Sequence, residues 1–456
     1  MSLRSTLAIL LLVIGSFWTL RRPFVGVCMV IALFHLNLRT LGAGLDEIRF
    51  QFVITLVLAA SYMMNREELL KDILPLRTPM KMMFAFLGMT FLTSIWAVSS
   101  IELAFDNAVD FAKIVWFSWL MMRIVRTERE MRILMYVTFA GMWYTSFMAA
   151  WGVEWGWINE MEVGVATGGA GAHLMMFMPL LVLLTLYGNW KERLYCATII
   201  PFVLNFLPNT PDGSRSTLVI LVTSMSLMLF LAPGSMRFRI AVPILAGALL
   251  FVFFLTPPHY WDDMKTIVDP HSESSARSRF VINDATFRII SEYPAGIGYN
   301  NYSLISMRYL PEEMLTELGS RDAHNSYLKV AAEFGLVGFV IWILLFFTSW
   351  RDFRRVRKTM QSGVPPTQLQ LTALALELGL IGITLGIYTH NYNDLDTLYW
   401  FVAFSSILMN LHDQQTQVQP GTPERALPRP GEVVSNPGLQ QQIPHTTKKT
   451  APVAAA

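Results

Sequence analysis

Apolar residues fall into thirteen blocks along this chain, at about 5–20, 23–38, 50–64, 82–98, 108–122, 133–151, 170–187, 194–208, 215–232, 238–256, 326–349, 370–388 and 398–411. Most run for about 16–22 residues, near the length an α-helix needs to cross the hydrocarbon of a bilayer. One long segment, about 257–325, parts the last three blocks from the rest. Inside it Phe280, Val281, Phe287 and Ile290 recur at near-helical spacing across 277–292 until Pro294 stops the run. That pattern predicts an amphipathic helix lying on the membrane surface or over the bundle. The following Pro294-Ala295-Gly296-Ile297-Gly298-Tyr299-Asn300 predicts a tight turn whose backbone other segments can approach closely. From His412 onward Gln, Pro, Thr and Ala dominate without a period, which predicts a disordered tail. The expected organisation is N-terminal transmembrane helices over 1–256, a large loop over 257–325, C-terminal transmembrane helices over 326–411 and the tail over 412–456.

Composition sharpens this. Of 456 residues 53% are hydrophobic and 15% charged, where a soluble domain carries about 25% charged residues. The fold class is therefore an all-α polytopic integral membrane protein. The net charge of +2 gives no basis for a nucleic-acid partner, but the distribution of charge orients the chain. Basic residues gather at 65–81 (Arg66, Lys71, Arg77, Lys81), 123–132 (Arg123, Arg126, Arg129, Arg132), Lys191/Arg193, Arg237/Arg239 and 351–358. The alternate loops are acidic or neutral: Glu102/Asp106, Glu154/Glu160/Glu162, Asp212 and Asp394/Asp396. The positive-inside rule assigns the basic set to the cytoplasm and the long loop to the outer side. Upstream, Arg21-Arg22 favours the cytoplasm and leaves Met1 outside despite Arg4. The first two blocks are short enough for a hairpin, so about twelve or thirteen crossings are expected. The first block has no small-residue cleavage site and reads as retained. Cys28 and Cys196 lie in apolar runs and read as small hydrophobes.

Candidate chemistry concentrates on the outer side. His324, in Arg321-Asp322-Ala323-His324-Asn325-Ser326, sits where a polar cluster meets a spanning block. It is either a locally hydrogen-bonded interfacial residue or a general base, since an imidazole can take a hydroxyl proton near neutral pH. Asn325 and Asp322 adjoin it; Gly335 and Gly338 fall near its helical face and would admit a neighbouring helix, and Glu333 falls opposite. Arg215, flanked by Ser214, Ser216 and Thr217, opens a block at its outer end. A helix N-terminus with hydroxyls and a guanidinium is an anion site; the alternative is an arginine snorkelling to the interface. Arg288, with Arg279 and Arg277, brings further guanidinium groups to the same side. Asp394 and Asp396 lie in the last outer loop beside Tyr392, Tyr399 and Trp400, a sugar-binding set or a plain solvated loop. His35 and His173 read as hydrogen-bonded packing residues. No metal-ligand spacing, phosphate-binding loop or dinucleotide turn occurs, so no metal or cofactor is expected.

Together, His324-Asn325 with Leu328 and Glu333-x-Gly335-x-x-Gly338, Gly213-Ser214-Arg215-Ser216 opening an earlier block, and Arg288 ahead of Pro294-x-Gly296-x-Gly298 resemble the O-antigen ligase and polymerase superfamily. Arg21-Arg22-Pro23-Phe24 and Asn37 are similar to a subgroup of O-glycosylation ligases. The resemblance implies a GT-C-type, metal-independent, inverting glycosyltransferase of the bacterial inner membrane, with its active site facing the periplasm. It implies a glycan on undecaprenyl pyrophosphate as donor and, in the ligase branch, a lipid A-core sugar hydroxyl as acceptor. In that scheme Arg215 and Arg288 bind the pyrophosphate, His324 is the base, and Ser214, Ser216, Arg279, Asn325 and Asp394 contact substrate. The same superfamily holds polymerases and protein O-oligosaccharyltransferases. A lipid or sugar transporter is the reading from another class, and it predicts ionisable residues deep in broken helices.

Overall fold

A computed structural model of the protein describes residues 3–38, 45, 48–69, 74–152, 169–209, 215–265, 274–315, 321–361, 363–388 and 390–418. Among these there are helices and no strand. A helix covers every apolar block: α1 Leu3–Arg21, α2 Pro23–Leu36, α3 Phe50–Met64, α4 Thr78–Ser94, α5 Ile101–Ile124, α6 Glu128–Phe147, α7 Ala170–Tyr187, α8 Trp190–Asn209, α9 Arg215–Leu231 and α10 Gly234–Leu250. After these, α11 Ser274–Glu292 lies in the long segment, and α12 Ser326–Arg357, α13 Gln368–Gly386 and α14 Asp396–Val418 complete the set. Residues Met1–Asp413 form one compact unit; of the second, Gln414–Ala456, only the end of α14 is described, so the tail expected to be disordered falls almost wholly outside the described residues.

At one moved boundary a cap explains the shift. The pattern predicted a start near 108, after the charged residues, yet α5 begins at Ile101 because the Ser100 hydroxyl accepts from the Leu103 N–H at 3.1 Å. Charges at Glu102 and Asp106 do not end a helix; an uncapped end does. Among the described residues five helices, Glu128–Trp151, Ala170–Tyr187, Gly234–Leu255, Ser326–Arg357 and Gln368–Gly386, are long and apolar enough to cross a membrane. The protein is thus of the multi-pass membrane class. The expected twelve or thirteen crossings exceed that count for two reasons: α5, α8 and α14, at 24, 20 and 23 residues, are long enough but too polar, and other helices are too short. At 14, 15 and 17 residues, α2, α3 and α9 reach about 21–26 Å, less than the ~30 Å of hydrocarbon.

The centre of the bundle is α7, in which every residue from Gly171 to Leu184 is buried. It packs against α8, α9 and α13, and α13 also packs against α9 and α12. A Cβ at Gly386 of α13 would lie 2.6 Å from the Ile220 side chain of α9, so its lack of one lets the outer end of α13 close onto the start of α9.

Although continuous by hydrogen-bond pattern, α12 is broken at Gly335, which has φ 69° and ψ 178°. The bond expected from the Leu336 N–H to the Ala332 carbonyl is exchanged. Leu336 N–H donates to Pro294 O (3.3 Å), while Ile297 N–H donates to Ala332 O and Gly298 N–H to Glu333 O, both at 3.0 Å. The 294–298 turn therefore docks backbone to backbone into the break. Gly335 was expected to admit a neighbouring helix; what it admits is this turn, a few residues long. Beyond the break about 22 residues of α12 remain, roughly 33 Å and enough to span by themselves.

Candidate functional site

The starts of α9, α12 and α14 and the end of α13 meet through backbone and hydroxyl contacts. Asn325 caps α12, its side-chain oxygen accepting from Tyr327 N–H (3.1 Å) and Leu328 N–H (3.3 Å). Fully buried Ser326 ties that helix start to the last loop. Its N–H donates to Ile387 O (2.9 Å), its hydroxyl donates to His390 O (2.8 Å), and that hydroxyl accepts from Tyr392 N–H (2.8 Å). Tyr392 continues the connection, with its hydroxyl 3.1 Å from the Ser216 hydroxyl in the first turn of α9. Arg215 thus opens a helix anchored to the same loop as His324.

His324 itself is half-buried and carries φ 49°, a left-handed backbone uncommon outside glycine. It is held on both sides: Ala323 is packed with Ile289, Tyr302 and Ala332, and Asn325 is the cap. Its ring centroid lies 6.2 Å from that of His390, which lies 4.5 Å from the Tyr392 ring. Desolvation pushes the imidazole pKa below its ordinary 6.5; the charge of Asp322 opposes this, and those of Arg279, Arg321 and Lys329 add to it. At neutral pH the ring is uncharged and able to accept a proton.

The two arginines of α11 separate. Ile282, Ala285, Thr286 and Ile289 form its buried face. Arg279, half-buried, acts on His324. Arg288 lies on the other side, about two and a half turns on; it is 68% exposed and ion-paired at 2.6 Å with Asp284 of the same helix. Of the residues expected at the site, the structure therefore gathers His324, Asn325, Ser216, the start of the Arg215 helix and Arg279, and turns Arg288 outward. Ser214 and the Arg277 side chain lie outside the described residues.

Asp394 enters the cluster through a residue the sequence reading passed over. Lys329, 3% exposed, places Nζ 3.1 Å from Asp322 Oδ2 and 3.8 Å from Asp394 Oδ2. Asp394 Oδ1 also accepts from the Tyr299 hydroxyl (2.7 Å) and Asn393 Nδ2 (2.9 Å). A lone lysine inside an apolar block was the signal, since intramembrane charges mark function or a paired partner. The last loop is no plain solvated loop, and Tyr399 and Trp400, at 1% and 2% exposure, are core residues with no face open to a sugar. His35 and His173, expected as hydrogen-bonded packing residues, are buried with rings 4.8 Å apart; His35 Nδ1 lies 3.2 Å from the Thr145 hydroxyl, while His35 Nε2 and both ring nitrogens of His173 meet no hydrogen-bond partner among the described residues. Among the described residues no group of His, Cys, Asp and Glu has the arrangement of a metal site.

Fold and site together define a multi-pass helical membrane protein with a polar, ionisable cluster at the end of the bundle where the 321–325 and 390–394 loops meet. Residues 212–343, which take in all of α9 and α11, His324 and the break in α12, match the family model described as O-Antigen ligase. No curated protein matches the chain.

Proposed function

We propose that the protein is an O-antigen ligase, transferring a glycan from undecaprenyl pyrophosphate to a sugar hydroxyl of the lipid A core at the periplasmic face of the inner membrane. The observation that carries this reading is a neutral, half-buried His324 under the charge of Arg279, on loops tied to the N-terminus of the Arg215 helix. His324 takes the proton of the attacking acceptor hydroxyl as its oxygen bonds to the anomeric carbon. The bond from that carbon to the pyrophosphate breaks, and the pyrophosphate leaves with the electron pair. In-line displacement inverts the anomeric centre. Arg215 and Arg279 bind the leaving group and stabilise its growing charge, supplying what a divalent ion supplies elsewhere. Arg288, outward and paired with Asp284, is assigned a lesser part. The membrane holds both lipid-linked substrates in nearly one plane, which contributes orientation.

The break in α12 with Glu333 and Lys329 beside it is the feature a transporter would also have. Here the break is filled and hydrogen-bonded by 294–298 and lies only about 15 Å from the start of the helix, which favours a transferase. The test is reconstitution in proteoliposomes with a defined undecaprenyl pyrophosphate-linked glycan and three acceptors: lipid A-core, a second donor glycan and a Ser/Thr peptide. Glycan on lipid A-core, with undecaprenyl pyrophosphate released and no ion gradient, is the expected result. Extension of the donor glycan alone would make the protein a polymerase, product on the peptide alone would make it a protein glycosyltransferase, and no release with any acceptor would end the transferase reading.

A further inference from the structure

Lys329 takes no part in the chemistry above, yet its surroundings are unusual. It begins the second turn of α12, its backbone N–H donating to Asn325 O at 2.9 Å, and its ammonium is almost wholly removed from solvent. Two carboxylates from different loops converge on it, Asp322 at 3.1 Å and Asp394 at 3.8 Å, and it feels the charge of fully buried Glu333 one turn further on. A buried ammonium is tolerated only where charges and hydrogen bonds compensate its lost hydration. Here the compensation comes from the loop that carries His324 and from the loop that carries His390 and Tyr392.

We propose that Lys329 is a positioning residue for His324: its ammonium clamps the 321–325 loop to the 390–394 loop and so fixes the imidazole relative to the start of the Arg215 helix. The left-handed backbone at His324 needs such restraint, because a non-glycine residue leaves that conformation once its neighbours release it. Removing the ammonium frees Asp322, the acidic group whose charge acts on His324. The other groups facing it are Arg321 from its own loop, Arg279 from α11 and His390 from the last loop. Loss of the lysine therefore loosens the ring and also takes a positive charge from it.

This inference rests on His324 acting as the base, and the experiment separates the two. Full-length protein in proteoliposomes is assayed for transfer from an undecaprenyl pyrophosphate-linked glycan to lipid A-core, over pH 5 to 9, as wild type, Lys329→Met, Lys329→Arg and His324→Ala. Lys329→Met is expected to lower kcat about tenfold to a hundredfold, with the donor KM within about twofold. Its acid limb moves to higher pH, because loss of a nearby positive charge raises the imidazole pKa. Lys329→Arg keeps the charge and returns the limb to its wild-type position. If Lys329→Met does not fold, as read by its melting temperature in detergent, Lys329→Met/Asp394→Asn removes one charge of each sign, and the same upward shift is expected. A kcat loss with the limb unmoved would assign Lys329 a structural role only, and wild-type kcat in Lys329→Met would remove it from the site; either overturns the proposal. Activity in His324→Ala would instead overturn the base assignment itself.

Discussion

Gly335→Ala tests the docked break in α12. The backbone there, φ 69° and ψ 178°, belongs to a region that is essentially glycine's alone, and another residue held in it costs about 1–3 kcal/mol. Space is the second obstacle: a Cβ at 335 would sit 2.6 Å from Ala295 C and 2.7 Å from Pro294 O, both backbone atoms that no rotamer can move. Relief requires the 294–298 turn to withdraw, which gives up the bonds from Ile297 to Ala332, Gly298 to Glu333 and Leu336 to Pro294 at about 1 kcal/mol each. A straightened helix would regain about 1 kcal/mol from alanine's propensity. The net loss of the straightened form, in which the backbone strain is gone, is about 2 kcal/mol, concentrated where α11 and the His324 loop attach. Two controls isolate the terms. Gly363→Ala has φ 86° but nothing within 4 Å of its Cβ, and should lose only backbone strain; Gly88→Ala, helical and equally open, should gain about 1 kcal/mol from helix propensity. Thermal unfolding in detergent followed by tryptophan fluorescence ranks the three, and glycan transfer in proteoliposomes reports the site. If Gly335→Ala melts with wild type and transfers at the wild-type rate, the docked turn does not hold the site together and the reasoning fails.

Arg279→Ala should lower kcat/KM for the pyrophosphate-linked donor about a hundredfold or more, whereas Arg288→Ala, which loses an exposed pair with Asp284, should cost less than threefold. The reverse ranking would return the anion site to the outer face of α11. Because the pKa of His324 is lowered, transfer should hold from pH 7 down to about the ordinary value of 6.5 and fall as pH drops through the lowered one. Stability should follow the same sign, present above 6.5 and lost as pH falls, since the unfolded chain then binds the proton the folded site resists. A rate already half lost at pH 6.5 or above would contradict the first, and a stability unchanged as pH falls below 6.5 the second. Asn325→Ala removes the acceptor of two N–H groups at the start of α12 and should destabilise by about 1 kcal/mol, with Asn325→Asp recovering most of it, both read by thermal melting. Chelators should leave transfer intact, and a requirement for Mg²⁺ or Mn²⁺ would show that the arginines do not carry the phosphate charge alone.

The apolar blocks alone located the helices, and the charge of the loops alone put Arg215, His324 and the last loop at the same end, because both are local or additive properties of the chain. The glycines at 296, 298 and 335 were legible as special positions but not as partners. Their use depends on two segments about forty residues apart approaching backbone to backbone. The choice between Arg279 and Arg288 was equally closed to the sequence: both sit on one amphipathic helix, and only the packing of Ile282, Ala285 and Ile289 decided which side looks toward His324. Lys329 went unread in the sequence, and its role emerged only where the fold brought Asp322 and Asp394 to it from either side. Periodicity informs over the four residues of a helical turn, while the environment of a charge is set by whatever the rest of the chain places within a few ångströms of it.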